Sequence, residues 1–272
     1  MTSWHGWSNT ANGEVHVQES VNIVMSAEGV VQQHAALDLT YVLYNEESHL
    51  SHLLAMLTLT PVLLNPAYAA LAVYTREIVF VEMWAGQLLC EAFNYVLKHL
   101  IREERPNESL GPGYGFPSSH SQWMGYFAAF LICHFAFRHR FASTGSWLLD
   151  RARAVIVYSI IVTWAGAVAY SRYHLTYHSA RQVLWGVGIG VVFGVAYYTT
   201  VELIPFWFPN SILGSLRSVL VGNPLSAWLR VRDGWAVYPD GGMEEQWQAW
   251  KQRLDAQQER QHSQSSRRKK IQ

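Results

Sequence analysis

The sequence predicts an all-α fold, a polytopic transmembrane helical bundle of about five spans, and three observations point there. Half of the 272 residues are hydrophobic and only 15 % are charged, where a soluble domain carries about 25 % charge. The apolar residues fall into runs near the ~20 residues needed to cross a bilayer. Basic residues are divided unevenly between the two ends of those runs. The formal net charge is zero, which gives no ground for nucleic-acid binding. Cys90 and Cys133 lie inside apolar runs. They are too few and too far apart for a disulfide framework or a zinc site, and read as small buried hydrophobes.

The N-terminal stretch has no positive start and no early apolar core, so it is not a signal peptide. Residues 1–37 read as a poorly structured extension, 38–233 as one membrane domain, and 234–272 as a polar tail. The first span is expected over Leu53–Val73, interrupted by Pro61, Asn65 and Pro66. The second, Ile78–Leu100, carries Glu82, Glu91 and Lys98. A carboxyl such as Glu91 inside a membrane is a candidate for function, although a hydrogen bond to a neighbouring helix is the favoured reading. The third span is short, Gln122–Phe137. The fourth is Ala154–Ala169, and Val183–Ile204 is the clearest. Beyond Pro205, aromatics alternate with turn residues, a pattern suited to the interface.

The positive-inside rule orients these spans. No Lys or Arg precedes Arg76. With five spans, the N-terminal side holds five basic residues, Lys98, Arg102, Arg105, Arg172 and Arg181, and the other side holds the remaining 15 of 20. The second side is therefore expected to be cytoplasmic, and the first lumenal or extracellular.

Three stretches carry chemistry. In the first, Lys98, Arg102 and Arg105 are spaced i, i+4 and i+7, so a helix would align three cations before Pro106. Snorkelling basic residues at a span end are the plainer reading. In the second, Pro117-Ser118-Ser119-His120 opens the third span, where free backbone N–H groups attract anions and a histidine can protonate a departing oxygen. An ordinary N-cap is the alternative. In the third, Arg172 ends one span, while His178 and Gln182 open the next, one helical turn apart. The Gln182 side chain can fix the imidazole tautomer and leave the other ring nitrogen free to attack. His174 reads as an incidental interfacial histidine. All three stretches emerge on the same side, so they can meet.

The pattern Lys98-x6-Arg105-Pro106, Pro117-Ser118-x-His120 and Ser171-Arg172-x5-His178 resembles the type 2 phosphatidic acid phosphatase superfamily. Ser119 stands where that family has Gly, and Gln182 where it has Asp. Both departures, with YGFPSSHSQ and YSRYHLTYHSARQVLWG, are similar to its dolichyldiphosphatase branch over roughly residues 38–233. The resemblance implies that His178 is the nucleophile and His120 the acid and base. Lys98, Arg105, Arg172, Ser118 and Ser119 would hold the phosphoryl oxygens, with Gln182 orienting His178. It implies no cofactor, and the sequence shows no carboxylate cluster with metal-ligand spacing. The implied substrate is a polyisoprenoid diphosphate in the bilayer, hydrolysed at the lumenal face of the endoplasmic reticulum membrane so that the lipid carrier returns to protein N-glycosylation.

A Gln at 182 orients the imidazole without adding charge, which suits a leaving group as acidic as phosphate, pKa about 6. Lys269-Lys270, fourth and third from the end, resemble a dilysine retrieval signal read by coat proteins on a cytoplasmic C-terminus. Asn107-Glu108-Ser109 is a glycosylation acceptor sequence, close enough to the membrane to be expected unmodified. A broader lipid phosphate phosphatase, an inactive membrane scaffold and a transporter are the other readings. A transporter would place its charges along the spans rather than at one end of them.

Overall fold

The computed structural model describes residues 22–25, 31–37, 42–106 and 113–271. The acceptor sequence at Asn107 lies outside them. Each predicted span is matched by a helical rod in the same place. The first is broken into α1 (His49–Leu57) and α2 (Thr60–Thr75), followed by α3 (Ile78–Ile101), α4 (Ser119–Phe137), α5 (Trp147–His174) and α6 (Ala180–Tyr198). Among the described residues, three rods are long and apolar enough to cross a membrane by length and composition: His49–Thr75, Trp147–His174 and Ala180–Trp207. The 24-residue α3 is also long enough, about 36 Å at 1.5 Å per residue, but Glu82, Glu91 and Lys98 lower its hydropathy. The α4 helix sits at the centre, with most of its side chains buried against its neighbours, so it can carry Ser, His, Gln and Tyr where a lipid-facing helix would not.

Glycines bring α4 and α6 together. Gly186, Gly190 and Gly194 recur every fourth residue and so form one stripe of α6. A Cβ at Gly190 would meet the Gln122 carbonyl oxygen at 2.1 Å, and one at Gly186 the Ser118 carbonyl oxygen at 2.7 Å. The absent side chains let two backbones touch, as small-xxx-small stripes do in membranes. The contact aligns the N-termini of α4 and α6, where His120 and Gln182 reside. Gly190→Ala is expected to cost roughly 1–3 kcal/mol through overpacking. It should therefore lower the thermal midpoint in detergent, while the Gly166→Ala control, in helical α5 with open space around its Cβ, lacks that clash.

Beyond α6 a π-helical turn, Thr199–Leu203, leads through α7 (Ile204–Trp207) to α8 (Ile212–Gly222) and α9 (Pro224–Leu229). The apolar residues Ile212, Leu216 and Val219 of α8 are exposed. A buried ionic network ties this region to the bundle. Arg217 pairs with Glu82 at 2.9 Å, Glu202 at 3.0 Å and Asp233 at 2.9 Å, and donates to the Val201 carbonyl at 2.7 Å. Arg138 reaches Glu202 at 3.3 Å. The boundary expected at 233 cuts through packed structure. Gly234 in α10 (Gly234–Val237) donates to Glu77 at 2.7 Å, and Trp235 packs on the core. The polar end is a 29-residue helix, α11 (Met243–Ile271).

The helical bundle is as expected, with one small addition ahead of it: β1 (Asn22–Met25), β2 (Val31–Leu37) and β3 (Val42–Asn45) form an antiparallel sheet in that order, with Asn22 opposite His34 and His34 opposite Asn45. Part of the extension expected to be poorly structured is therefore sheet. Its Val- and Ile-rich runs around Ala-Glu-Gly have β propensity that a search for spans ignores. One expectation needs correction: Lys98, Arg102 and Arg105 do not share a helical stripe. Arg102 takes a left-handed conformation (φ 54°) and ends α3, as residues at this position of a helix terminus commonly do.

Candidate active site

The rods run alternately, so the ends of α3 and α5 and the starts of α1, α4 and α6 share one end of the bundle. The three predicted stretches meet there. The α5–α6 turn is closed by the His178 N–H donating to the Arg172 carbonyl at 3.1 Å, with Thr176 left-handed (φ 59°). The α4 start is tied to it by the Ser118 N–H donating to the Gln182 carbonyl at 3.2 Å.

Gln182 is the best-defined side chain of the site. Its Oε1 accepts from His178 Nδ1 at 3.2 Å and from the Ser179 N–H at 3.3 Å. Its Nε2 donates to Glu103 Oε1 and to the Glu104 carbonyl, both at 2.9 Å. Every hydrogen-bonding position of the amide is filled. A flipped amide would turn its oxygen towards the two Glu oxygens, so the network fixes Oε1 towards the imidazole. His178 Nδ1 must then carry the proton, leaving Nε2 with a free lone pair. Gly115 permits the close packing: a Cβ there would lie 2.8 Å from Gln182 Nε2.

His178 is buried, and Arg172, Lys98 and Arg105 lie within electrostatic reach. Burial first, and then the Arg172 charge, push its pKa down to about 3, against a smaller opposing effect of the Gln182 hydrogen bond. The imidazole is neutral at physiological pH, as a nucleophile must be. Lys98, Arg105 and Arg172 also act on one another electrostatically, so three cations converge without the helical stripe. The Arg172 guanidinium stacks on the Tyr177 ring, 4.0 Å from its centroid, and Tyr177 Oη accepts from the Leu43 N–H of β3 at 2.9 Å.

His120 feels the charges of Arg172, His178 and Lys98 and donates a hydrogen bond to the Thr58 carbonyl. That carbonyl is available because the rod breaks between α1 and α2. Ser119 and His120 line a cavity of about 210 Å³ with Pro61, Val62, Glu91 and Trp123. Ser118 is the N-cap residue of α4 without a side-chain capping bond; its Oγ accepts from Ser121 Oγ at 2.9 Å. Arg102 donates to the His99 carbonyl at 3.0 Å and is exposed. Among the described residues, no group of three or more His, Cys, Asp or Glu could hold a metal ion.

Sequence reading missed Glu103, Tyr177 and Thr58. Glu103 carried a signal, as an acid in the middle of a cationic stretch. Tyr177 and Thr58 act through packing and a helix break that the sequence does not mark.

Comparison with known proteins identifies the family. Residues 79–204 match the PAP2 superfamily. The chain is 33 % identical to dolichyldiphosphatase 1 of Dictyostelium discoideum, over 72 % of this chain and 82 % of that protein. It is 30 % identical to dolichyldiphosphatase 1 of Homo sapiens, over 77 % and 87 %, and 33 % identical to dolichyldiphosphatase of Saccharomyces cerevisiae, over 61 % and 70 %. No solved structure matches the chain.

Proposed function

The chain belongs to the PAP2 superfamily and to its dolichyldiphosphatase branch, and on that footing we propose that it hydrolyses dolichyl diphosphate to dolichyl phosphate and inorganic phosphate. The observation that carries the reading is the saturated Gln182 amide, which holds His178 Nδ1–H and leaves Nε2 free beside Lys98, Arg105 and Arg172. Nε2 attacks the terminal phosphorus, and the bond from phosphorus to the bridging oxygen breaks. His120 keeps the N–H that is bonded to Thr58 and gives a proton from its other ring nitrogen to that oxygen as dolichyl phosphate leaves. His120 then takes a proton from water, whose oxygen attacks the phosphohistidine. The P–N bond breaks, its electrons return to Nε2, and inorganic phosphate departs. The three cations and Ser118 and Ser119 hold the equatorial oxygens, the electrostatic work on which phosphoryl transfer depends. The isoprenoid tail leaves through the groove beside Ser119, His120 and Glu91, which is walled by Pro61 and Val62 of α2.

We place the site at the lumenal face of the endoplasmic reticulum membrane, with Lys269-Lys270 cytoplasmic and read by coat proteins, so that the product re-enters protein N-glycosylation. The reading is tested by phosphate release from dolichyl diphosphate and from phosphatidate, using purified protein in excess chelator. Preference for the diphosphate supports it. Preference for the monoester gives a broader lipid phosphate phosphatase, and folded protein that turns over neither substrate is a scaffold.

The relay to Glu103 changes the argument from Gln182 alone, because a full carboxylate stands one hydrogen bond beyond the amide. Phosphohistidine formation puts positive charge on His178, and Glu103 polarises Gln182 against it. Glu103→Gln is expected to lower kcat about tenfold, the lower end of losses for groups that support a reacting ligand, with KM little changed. An unchanged kcat would leave Glu103 only its ion pair with Arg181 at 2.6 Å.

A further inference from the structure

A second cavity lies at the other end of the bundle. Its volume is about 840 Å³, within the range that holds a sizeable ligand. His134, on its wall, is 14 residues beyond His120 along α4, about 21 Å at 1.5 Å per residue, so the cavity is separate from the site above. Met83, Phe130 and Leu131 make its inner wall apolar, while Arg76, Arg230 and Arg232 line it too. Arg232 is paired with Glu77 at 2.6 Å. Arg76 and Arg230 are exposed and have no carboxylate partner among the described residues.

Two further observations point to a ligand of mixed character. His134 is 5 % exposed, and its buried Nε2 has no hydrogen-bond partner among the described residues. The Tyr198 hydroxyl lies 3.5 Å from its Nδ1. With Tyr198 donating there, Nε2 carries the proton and requires an acceptor, and a buried donor left unmet is costly. Leu71 and Tyr74 of α2 also line the cavity and remain exposed, so it opens on a face of α2 that lies towards lipid. A soluble anion would use the arginines but not the apolar wall or the sideways opening.

We propose that this cavity binds an anionic phospholipid from the leaflet at that end of the bundle. The phosphate lies between Arg76 and Arg230, an ester carbonyl accepts from His134 Nε2, and an acyl chain leaves past Leu71 and Tyr74. Basic side chains near a membrane surface favour acidic lipids in this way.

The test is native mass spectrometry of the purified chain with dioleoyl phosphatidylinositol or dioleoyl phosphatidylcholine. The wild type is expected to retain one acidic lipid at least about tenfold in preference to the neutral one. Arg76→Gln/Arg230→Gln should abolish the preference and keep catalytic activity, which serves as the folding control. Equal retention of the two lipids by the wild type overturns the proposal, as does an unchanged preference in the double variant. Loss of the lipid in Lys98→Gln instead would place it at the catalytic end. Displacement by inorganic phosphate would identify a free-anion site. Either result also overturns the proposal.

Discussion

His178→Ala is expected to abolish phosphate release, with a fall in kcat of about 10⁴-fold or more, the scale seen when a nucleophile is removed from a preorganised site. The attacking atom is lost while Lys98, Arg105 and Arg172 stay to bind the diphosphate, so KM should change far less. Rapid quenching with label on the terminal phosphate should trap acid-labile, base-stable phosphoenzyme in the wild type and none in the variant. A variant that still accumulates labelled protein would move the nucleophile elsewhere. The trapping experiment also has a pH signature. An ordinary imidazole, pKa about 6.5, is mostly protonated at pH 5.5 and unable to attack. With its pKa lowered to about 3 by burial and the Arg172 charge, His178 remains neutral there. The labelled burst should therefore have the same amplitude at pH 5.5 and 7.5, and a collapse at pH 5.5 would contradict the electrostatic account.

Arg172→Ala is expected to cost about 10³-fold in kcat/KM, near 4 kcal/mol, as when an aimed donor to a developing oxyanion is removed. Arg172 is almost wholly buried. Its Nε makes no hydrogen bond among the described residues, leaving a donor for a phosphoryl oxygen. Arg172→Lys restores the charge but neither the planar fork nor the stack on Tyr177, and should recover only part of the loss. Steady-state kinetics together with inhibition by vanadate, which mimics pentavalent phosphorus, would check this. Both quantities should weaken in parallel. Weaker turnover with intact vanadate affinity would remove Arg172 from the oxyanion cage.

Much of this architecture was legible in the sequence because hydropathy and topology are local or additive signals. Ile78–Leu100 was placed within a residue of α3, and the common side of Lys98, His120 and His178 followed from counting spans. Other features depend on single backbone angles or distant partners. Arg102 ends α3 through one left-handed residue, so the three-cation stripe was read from a helix that does not continue. Glu103 and Gln182 are 79 residues apart, and nothing local links them. The sheet escapes a reading built on spans, because Ile23, Val24 and Val31 sit in runs far too short to cross a bilayer.

The Arg217 network also constrains how the chain is made. Glu82 is inserted with α3, yet its partner Arg217 lies 135 residues downstream, well after α6 has been synthesised. Until then Glu82 and, later, Glu202 have no Arg217 to neutralise them, and an unmatched carboxylate in a bilayer is costly. The nascent bundle therefore stays incomplete until α8 docks. A product that stops after α7 would contain His120, His178 and every predicted span, and would still leave Glu82 without its guanidinium. Quality control acting on such chains would detect that fault at the end of the molecule remote from the chemistry.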